Sequence, residues 1–252
     1  MAKGAPSLLA RGFFILLGLV MLGAAWAWPQ LPQQGAARIE VEPGLVGVLL
    51  GGYSYAWVLK TPQGAVLVDA GMDTQGKELL AELAAQGVSP EKVHTVLLTH
   101  GHVDHWGAAH LFPNARVVVG PGEAAVIRGE FVQKSLVGRL TRSMARPPVP
   151  AKLEEAQDGA ELSVDGASIR VIHLPGHTPG SAAYLWRDVL FTGDSLLRTK
   201  SGLGPSPVPV SEDRKQNLAS LRKLEEVHFA RVADGHAGLT QGAKEKLGAL
   251  LK

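Results

Sequence analysis

His100-Gly101-His102-Val103-Asp104-His105 places three imidazoles and a carboxylate within six residues. A packed core has no use for that density of polar groups, whereas a divalent cation does, since imidazole nitrogen and carboxylate oxygen are among its ordinary protein ligands. The chain contains no cysteine, which removes thiolate ligands and disulfides together. Donors of the same kind recur in three separate stretches downstream. His177 lies in Leu174-Pro175-Gly176-His177-Thr178-Pro179-Gly180-Ser181, Asp194 in Thr192-Gly193-Asp194-Ser195, and His236 in Asp234-Gly235-His236. Each stretch adjoins an apolar run that reads as a strand, so the imidazoles and carboxylates are aimed from strand ends.

In this order the motifs H-x-H-x-D-H, P-G-H-T-P-G-S, T-G-D-S and G-H resemble the metallo-β-lactamase superfamily. Val66-Leu67-Val68-Asp69-Ala70-Gly71 is similar to that family's first motif, in which an Asp closes a strand near the site. The resemblance runs over roughly residues 38 to 252. It implies that His100, His102 and His177 hold one metal, that Asp104, His105 and His236 hold a second, and that Asp194 bridges them. Asp69 is expected to orient a ligand imidazole. The implied cofactors are two divalent ions, with zinc the expected metal; iron and manganese stay open because His and Asp alone do not separate them. A water shared by two cations is a hydroxide at neutral pH, and the expected reaction is its attack on a carbonyl, with Asp104 catalytic in orienting it.

The resemblance also narrows the bond. Hydroxyacylglutathione hydrolases of the glyoxalase II type share these seven ligands but carry a further helical region after the last histidine, and here 16 residues follow His236. True lactamases of the superfamily usually lack the bridging Asp. Quorum-sensing lactonases have a Tyr three residues after it, where this chain has Leu197. The expected function is therefore hydrolysis of an ester, thioester or lactone of a small-molecule substrate. β-Lactamase or phosphodiesterase chemistry is the alternative within the fold; an iron-dependent oxidoreductase or a non-catalytic metal-binding module is the alternative from another class.

The elements that must position these residues follow from periodicity. Val93 to Leu98 reads as a buried strand, Thr99 to Gly101 as the turn at its end, and Asp104 as the cap of a short helix through His110. Strands are predicted at about Gly44 to Leu50, Tyr53 to Lys60, Ala65 to Asp69 and Arg116 to Val119. A second run is predicted at Ala160 to Ser163, Ser168 to His173, Ala182 to Trp186 and Val189 to Thr192. Helices are predicted over Asp73 to Ala85, from Ser211 through Leu224, and over Lys244 to Leu251. Strand groups followed by helices fit an α/β fold of two sheets between helix layers, the four-layer αββα sandwich that the resemblance implies. Gly120 to Pro150 reads as an amphipathic basic insert, and Leu197 to Pro209 as a loop edging the site, where Arg198 or Lys200 could meet an anionic substrate group. His94, His110, His173 and His228 are expected to be structural or exposed.

A chain of 252 residues, 46% of them hydrophobic, can bury one substantial core, and residues 36–252 are expected to form one domain. A formal net charge of +2 gives no reason to expect nucleic acid. Residues 1–35 carry Lys3 and Arg11, no acid, and the uncharged apolar run Gly12 to Trp28. This predicts an N-terminal apolar helix acting as an export signal and placing the domain outside the cytoplasm, periplasmic or secreted. Ala25-Trp26-Ala27 resembles a cleavage site, while 17 apolar residues also suffice for a retained anchor with membrane association through residues 12–28, so both forms stay open. The sequence leaves the oligomeric state open.

Overall fold

The computed structural model describes residues 35–135, 138–139 and 146–252. The expected N-terminal helix and part of the basic insert lie outside the described residues. Among those described, no helix is long and apolar enough to cross a membrane.

Strands β1 (Arg38–Glu42), β2 (Leu45–Leu50), β3 (Ser54–Lys60), β4 (Ala65–Val68), β5 (Val93–Leu97), β6 (Arg116–Val119) and β7 (Leu153–Glu155) form one sheet in chain order. β1 to β4 make an antiparallel meander, and β4 to β7 run parallel. The second sheet holds β8 (Glu161–Val164), β9 (Ala167–His173), β10 (Ala182–Trp186) and β11 (Val189–Gly193). After a small hairpin of β12 (Leu197–Thr199) and β13 (Gly202–Gly204), β14 (Arg231–Asp234) and β15 (Leu239–Gln241) complete it, in the order β15-β14-β11-β10-β9-β8.

The central strands are apolar on both faces because each sheet is covered twice, and the two-residue period sorts the side chains. In β4, Val66 and Val68 enter a core with Trp57, Tyr184 and Phe191 between the sheets, while Ala65 and Leu67 face outward to Leu79 and Leu83 of the helix Lys77–Ala85. In β11, Val189 and Phe191 point to the inter-sheet core, and Leu190 points to Leu221, Leu247 and Leu251 of the helices Arg214–Leu221 and Ala243–Leu251. Three apolar layers therefore separate four structural ones, and the αββα sandwich is the observed fold.

Three local expectations change. Leu197 to Pro209 is not a plain loop, because Leu197–Thr199 pairs with Gly202–Gly204 and buries Leu197 and Leu203. The helix after the His cluster stops at Trp106, and His102, not Asp104, is its N-cap. Asp104 sits in the first turn, with its carboxylate drawn to the imidazoles beside it. The helix expected from Asp73 begins at Lys77, because the Asp73 side chain accepts from the N–H groups of Gln75 and Lys77 and holds the preceding residues as a turn.

Candidate metal centre

β4, β5, β9, β11 and β14 all end at one edge of the sandwich. β4 runs parallel to β5 and β11 runs parallel to β14, while β9 and β11 share a direction because both oppose β10. Asp69, Thr99-His100, His177, Asp194 and His236 thus emerge together. The sheets are stitched at this edge by the Ala182 N–H donating to the Thr99 carbonyl (2.9 Å) and the Tyr55 N–H donating to the Gly235 carbonyl (2.8 Å). Gly235 must be glycine, since a Cβ there would lie 2.5 Å from Asp194 Oδ1 and 2.7 Å from the His105 ring.

The structure brings all seven residues together. Ligating atoms of His100, His102 and His177 lie within 4.8 Å of one another, as do those of Asp104, His105 and His236. Asp194 stands between the triads: its Oδ2 is 3.1 Å from His236 Nε2 and 3.7 Å from His177 Nε2, and its Oδ1 is 3.5 Å from His105 Nε2.

Three of the imidazoles are aimed by what holds their other nitrogen, while His102 Nδ1 and His177 Nε2 lie 3.0 Å from each other. His105 Nδ1 bonds to Asp69 Oδ2 at 2.8 Å, and His236 Nδ1 donates to the Tyr53 carbonyl at 2.8 Å, so both present Nε2 to the site. Thr99 Oγ1 donates to Asp69 Oδ2 (2.8 Å) and lies 3.1 Å from His100 Nδ1, leaving His100 Nε2 toward the cluster. Asp69 itself adopts φ 61, a left-handed conformation that Asp tolerates and most side chains do not.

This donor set fits divalent cations. His100 Nε2, His102 Nε2, His105 Nε2, His177 Nδ1 and Asp194 Oδ1 are buried and lack a hydrogen-bond partner. So many orphaned atoms in one place are costly unless something else satisfies them. Burial holds His100 well below the usual imidazole range, lowers His102 and depresses His177 to about 3, keeping all three neutral with lone pairs available. On the other side burial opposes charge on His105, but Asp104, Asp69 and Asp194 outweigh it and hold that imidazole well above its ordinary value. Burial likewise opposes charge on His236, and Asp194 lifts it to about 9. That half of the centre is a field that favours cations.

Two positioning residues escaped the sequence reading. Asp234 is fully buried, and its Oδ1 accepts from the N–H groups of His236 (2.9 Å), Ala237 (2.5 Å) and Gly238 (3.2 Å), shaping the turn that carries His236. An Asp at a strand end before Gly-His was the available signal. Glu123, fully buried at the start of the helix Glu123–Arg128, accepts from the Gly101 N–H (2.5 Å) and the Gly180 N–H (2.7 Å), tying the His100–His102 loop to the His177 loop. No sequence signal marked it, because both partners are backbone groups. Glu123→Ala leaves two buried N–H groups unpaired and is expected to cost about 2–4 kcal/mol of stability, read as a lower urea midpoint; an unchanged midpoint would mean the loops hold themselves.

The His177 loop is fixed from its other side as well. Asp213, which caps the helix Arg214–Leu221, donates its own N–H to the Gly176 carbonyl (2.8 Å), and the Glu212 N–H donates to the His177 carbonyl (3.0 Å). Gly176 packs against that helix where a Cβ would lie 2.1 Å from the Asn217 nitrogen. Arg198 turns inward: its N–H donates to Asp234 Oδ2 (3.0 Å) and its guanidinium to the Ala237 carbonyl, which makes it a brace of the His236 turn. Lys200 is exposed on the β12–β13 hairpin. Outside the cluster, His94 pairs with Asp165 (2.9 Å), His110 Nδ1 donates to the Gly107 carbonyl, His173 Nε2 donates to the Pro179 carbonyl, and His228 is exposed.

Comparison with known proteins agrees with this geometry. The family model described as the metallo-beta-lactamase superfamily matches residues 49–236. An atrochrysone carboxyl ACP thioesterase of Aspergillus fumigatus is 28% identical over 195 residues, covering 76% of this chain and 53% of that protein. Hydroxyacylglutathione hydrolase GloC of Haemophilus influenzae is 36% identical over 134 residues, covering 50% of this chain and 59% of that one. The chain thus spans little more than half the length of these curated relatives. Among solved structures, a metallo-beta-lactamase family protein of Thermus thermophilus is 26% identical with a TM-score of 0.64, over 84% of this chain and 79% of that one. Metallo-beta-lactamase SMB-1, 19% identical with a TM-score of 0.68 over 86% of this chain and 93% of that one, shares the fold. Sandwich topology, the order of motifs along the chain and the family match coincide, and the chain belongs to the metallo-beta-lactamase superfamily.

Proposed function

We propose that the protein is a divalent-metal-dependent hydrolase of ester or thioester carbonyls. The observation that carries the proposal is Asp194, whose carboxylate lies within 3.7 Å of an imidazole of each triad, so that one side chain can serve both halves of a two-metal centre. Cations bound there, zinc for preference, would supply a Lewis acid for the carbonyl oxygen and lower the pKa of the attacking water. His100, His102 and His177 would hold one ion as neutral ligands, and His105, His236 and Asp104 would hold the other.

Burial opposes ionisation of Asp104, but His105 and His236 outweigh it and bring the carboxyl to about 2, so Asp104 is an anion at neutral pH. Its Oδ2, 3.2 Å from His105 Nε2 and 3.6 Å from His236 Nε2, is placed to orient a water proton away from the attacking lone pair. Ser195, next to Asp194, is not a competing nucleophile, since it is buried and donates to the Leu174 carbonyl. Thioesters are favoured because relatives bear the names thioesterase and hydroxyacylglutathione hydrolase. The apolar run 12–28 behind Lys3 and Arg11 supports action outside the cytoplasm, with the segment cleaved or kept as an anchor; protease accessibility on intact cells checks this.

The decisive experiment measures kcat/KM of the zinc-loaded protein on matched thioester, lactone, aryl ester, β-lactam and phosphodiester substrates. Preferred turnover of the thioester or ester is expected. Activity that appears only with iron, as oxidation or reduction, would overturn the hydrolase reading, and preferred β-lactam turnover would move the substrate class.

A further inference from the structure

We infer that the cavity beside His102 receives an anionic arm of the substrate, a carboxylate or phosphate set apart from the scissile carbonyl. The inference rests on the hydrolase proposal and gives its substrate a chemical class. A cavity of about 420 Å³ opens against His102, with Trp106, Ile127, Arg128, Gln133, Arg146 and Val149 in its wall. With the reacting carbonyl at the His cluster, the adjoining wall offers apolar surface on Trp106 and Ile127 and the guanidinium groups of Arg128 and Arg146.

Two observations favour an anion. Arg128 and Arg146 are exposed guanidinium groups on the cavity wall, and neither is paired with a carboxylate among the described residues. Between Glu130 and Glu154 the sequence has no Asp or Glu but carries Lys134, Arg139, Arg142, Arg146 and Lys152, so the stretch that supplies Arg146 to the wall brings no carboxylate of its own. Guanidinium groups suit carboxylate and phosphate because their planar forks match the oxygen spacing.

Gln133, only 6% exposed in the same wall, leaves its Oε1 buried without a hydrogen-bond partner, an acceptor that a donor elsewhere on the substrate, a hydroxyl or amide N–H, would satisfy. In the same wall Trp106 Nε1 donates to the Gly101 carbonyl at 3.0 Å, which fixes the indole.

A second cavity sets the contrast. It lies on the flank of Tyr53 and Met72, has a volume of about 400 Å³, and carries Asp73 and Glu78 against the single cation Lys77. An anion is therefore steered to the His102 side, and a neutral half of the substrate to the Tyr53 side.

The test uses the full chain loaded with zinc and a matched thioester series: a neutral acyl thioester, the same compound with a terminal carboxylate on the acyl half, and the same with the carboxylate on the thiol half. One of the two charged compounds is expected to show kcat/KM about tenfold above the neutral one through a lower KM, and which of them does so identifies the half the cavity accepts. Arg128→Glu combined with Arg146→Glu should erase the preference, and Arg128→Lys with Arg146→Lys should restore part of it. Equal rates across the series, or a preference that survives the double reversal, would overturn the inference while leaving hydrolysis established. If no member is turned over, the hydrolase proposal falls, and calorimetry with adipate against hexanoate then decides the cavity: tighter adipate binding, lost in the double reversal, supports the anion site, and equal binding removes it.

Discussion

Asp194→Ala is expected to lower kcat/KM for the preferred substrate by about three orders of magnitude while leaving the domain folded. Among the described residues it is the one carboxylate that lies within 4 Å of imidazoles from both triads, at 3.7 Å from His177 and at 3.1 and 3.5 Å from His236 and His105. Losing it separates two half-sites that are otherwise intact, and removing a shared ligand costs several kcal/mol of transition-state stabilisation. Stability should change far less. Burial opposes ionisation of Asp194, and His236 and His105 hold it well below the ordinary carboxylate range, so its removal forfeits favourable ion pairs. Removal also relieves repulsion with Asp104 and a burial penalty, and the two effects offset within about 2 kcal/mol. Circular dichroism with urea denaturation checks the fold, metal analysis counts ions retained, and steady-state kinetics read the loss. Wild-type turnover in this variant would show that one triad alone carries the reaction.

The geometry also explains which parts of the site were legible from sequence. His100, Asp194 and His236 stand just past strand ends, His102 and His105 on the short turn and helix after β5, and His177 on the turn after β9, and a strand end beside a buried run is visible as a composition change within a few residues. Their supports are of two kinds. Asp69 was readable because it too closes a strand, β4. Glu123 was not, because its partners are the N–H groups of Gly101 and Gly180, which every residue type presents alike and which only the folded chain brings together. Asp234 fell between: its Asp-Gly spacing announces a turn, yet its fourfold acceptance of backbone N–H groups, Arg198 included, depends on the β12 strand passing alongside.

The sheets show the same division. β3 and β4 follow from apolar runs ended by Gly and Pro. β12 and β13 are too short and too rich in Gly to be recognised, and β1 alternates Arg38, Glu40 and Glu42 with Ile39 and Val41 at an edge whose pairing is set by β2. The helix Glu123–Arg128 was hidden for another reason. It is short, opens after Gly122 at φ 83, and draws its stability from Ala124 and Ile127 packing into a core formed by distant strands.

Asp69 offers the sharpest separation of structure from metal binding. Asp69→Asn keeps the shape and the acceptor for the Thr99 N–H at 2.8 Å, and Asn tolerates the φ of 61 that the position requires. What changes is the group facing His105 Nδ1. An amide N–H there cannot accept from the imidazole, so His105 is driven to the tautomer with its proton on Nε2, the atom that must hold a metal. Metal affinity is expected to fall by about 10- to 100-fold with a modest loss of stability. Asp69→Ala removes every acceptor at once, leaves the Thr99 N–H and His105 Nδ1 buried without partners, and places alanine in a left-handed conformation. It should cost about 3–5 kcal/mol in addition to the lost affinity. Competition with a chromogenic chelator reads affinity, and urea denaturation of the metal-free protein reads stability. If the Asn variant bound metal as the wild type does, the Asp69–His105 contact would be a packing feature, and orientation of His105 would have to come from the cations themselves.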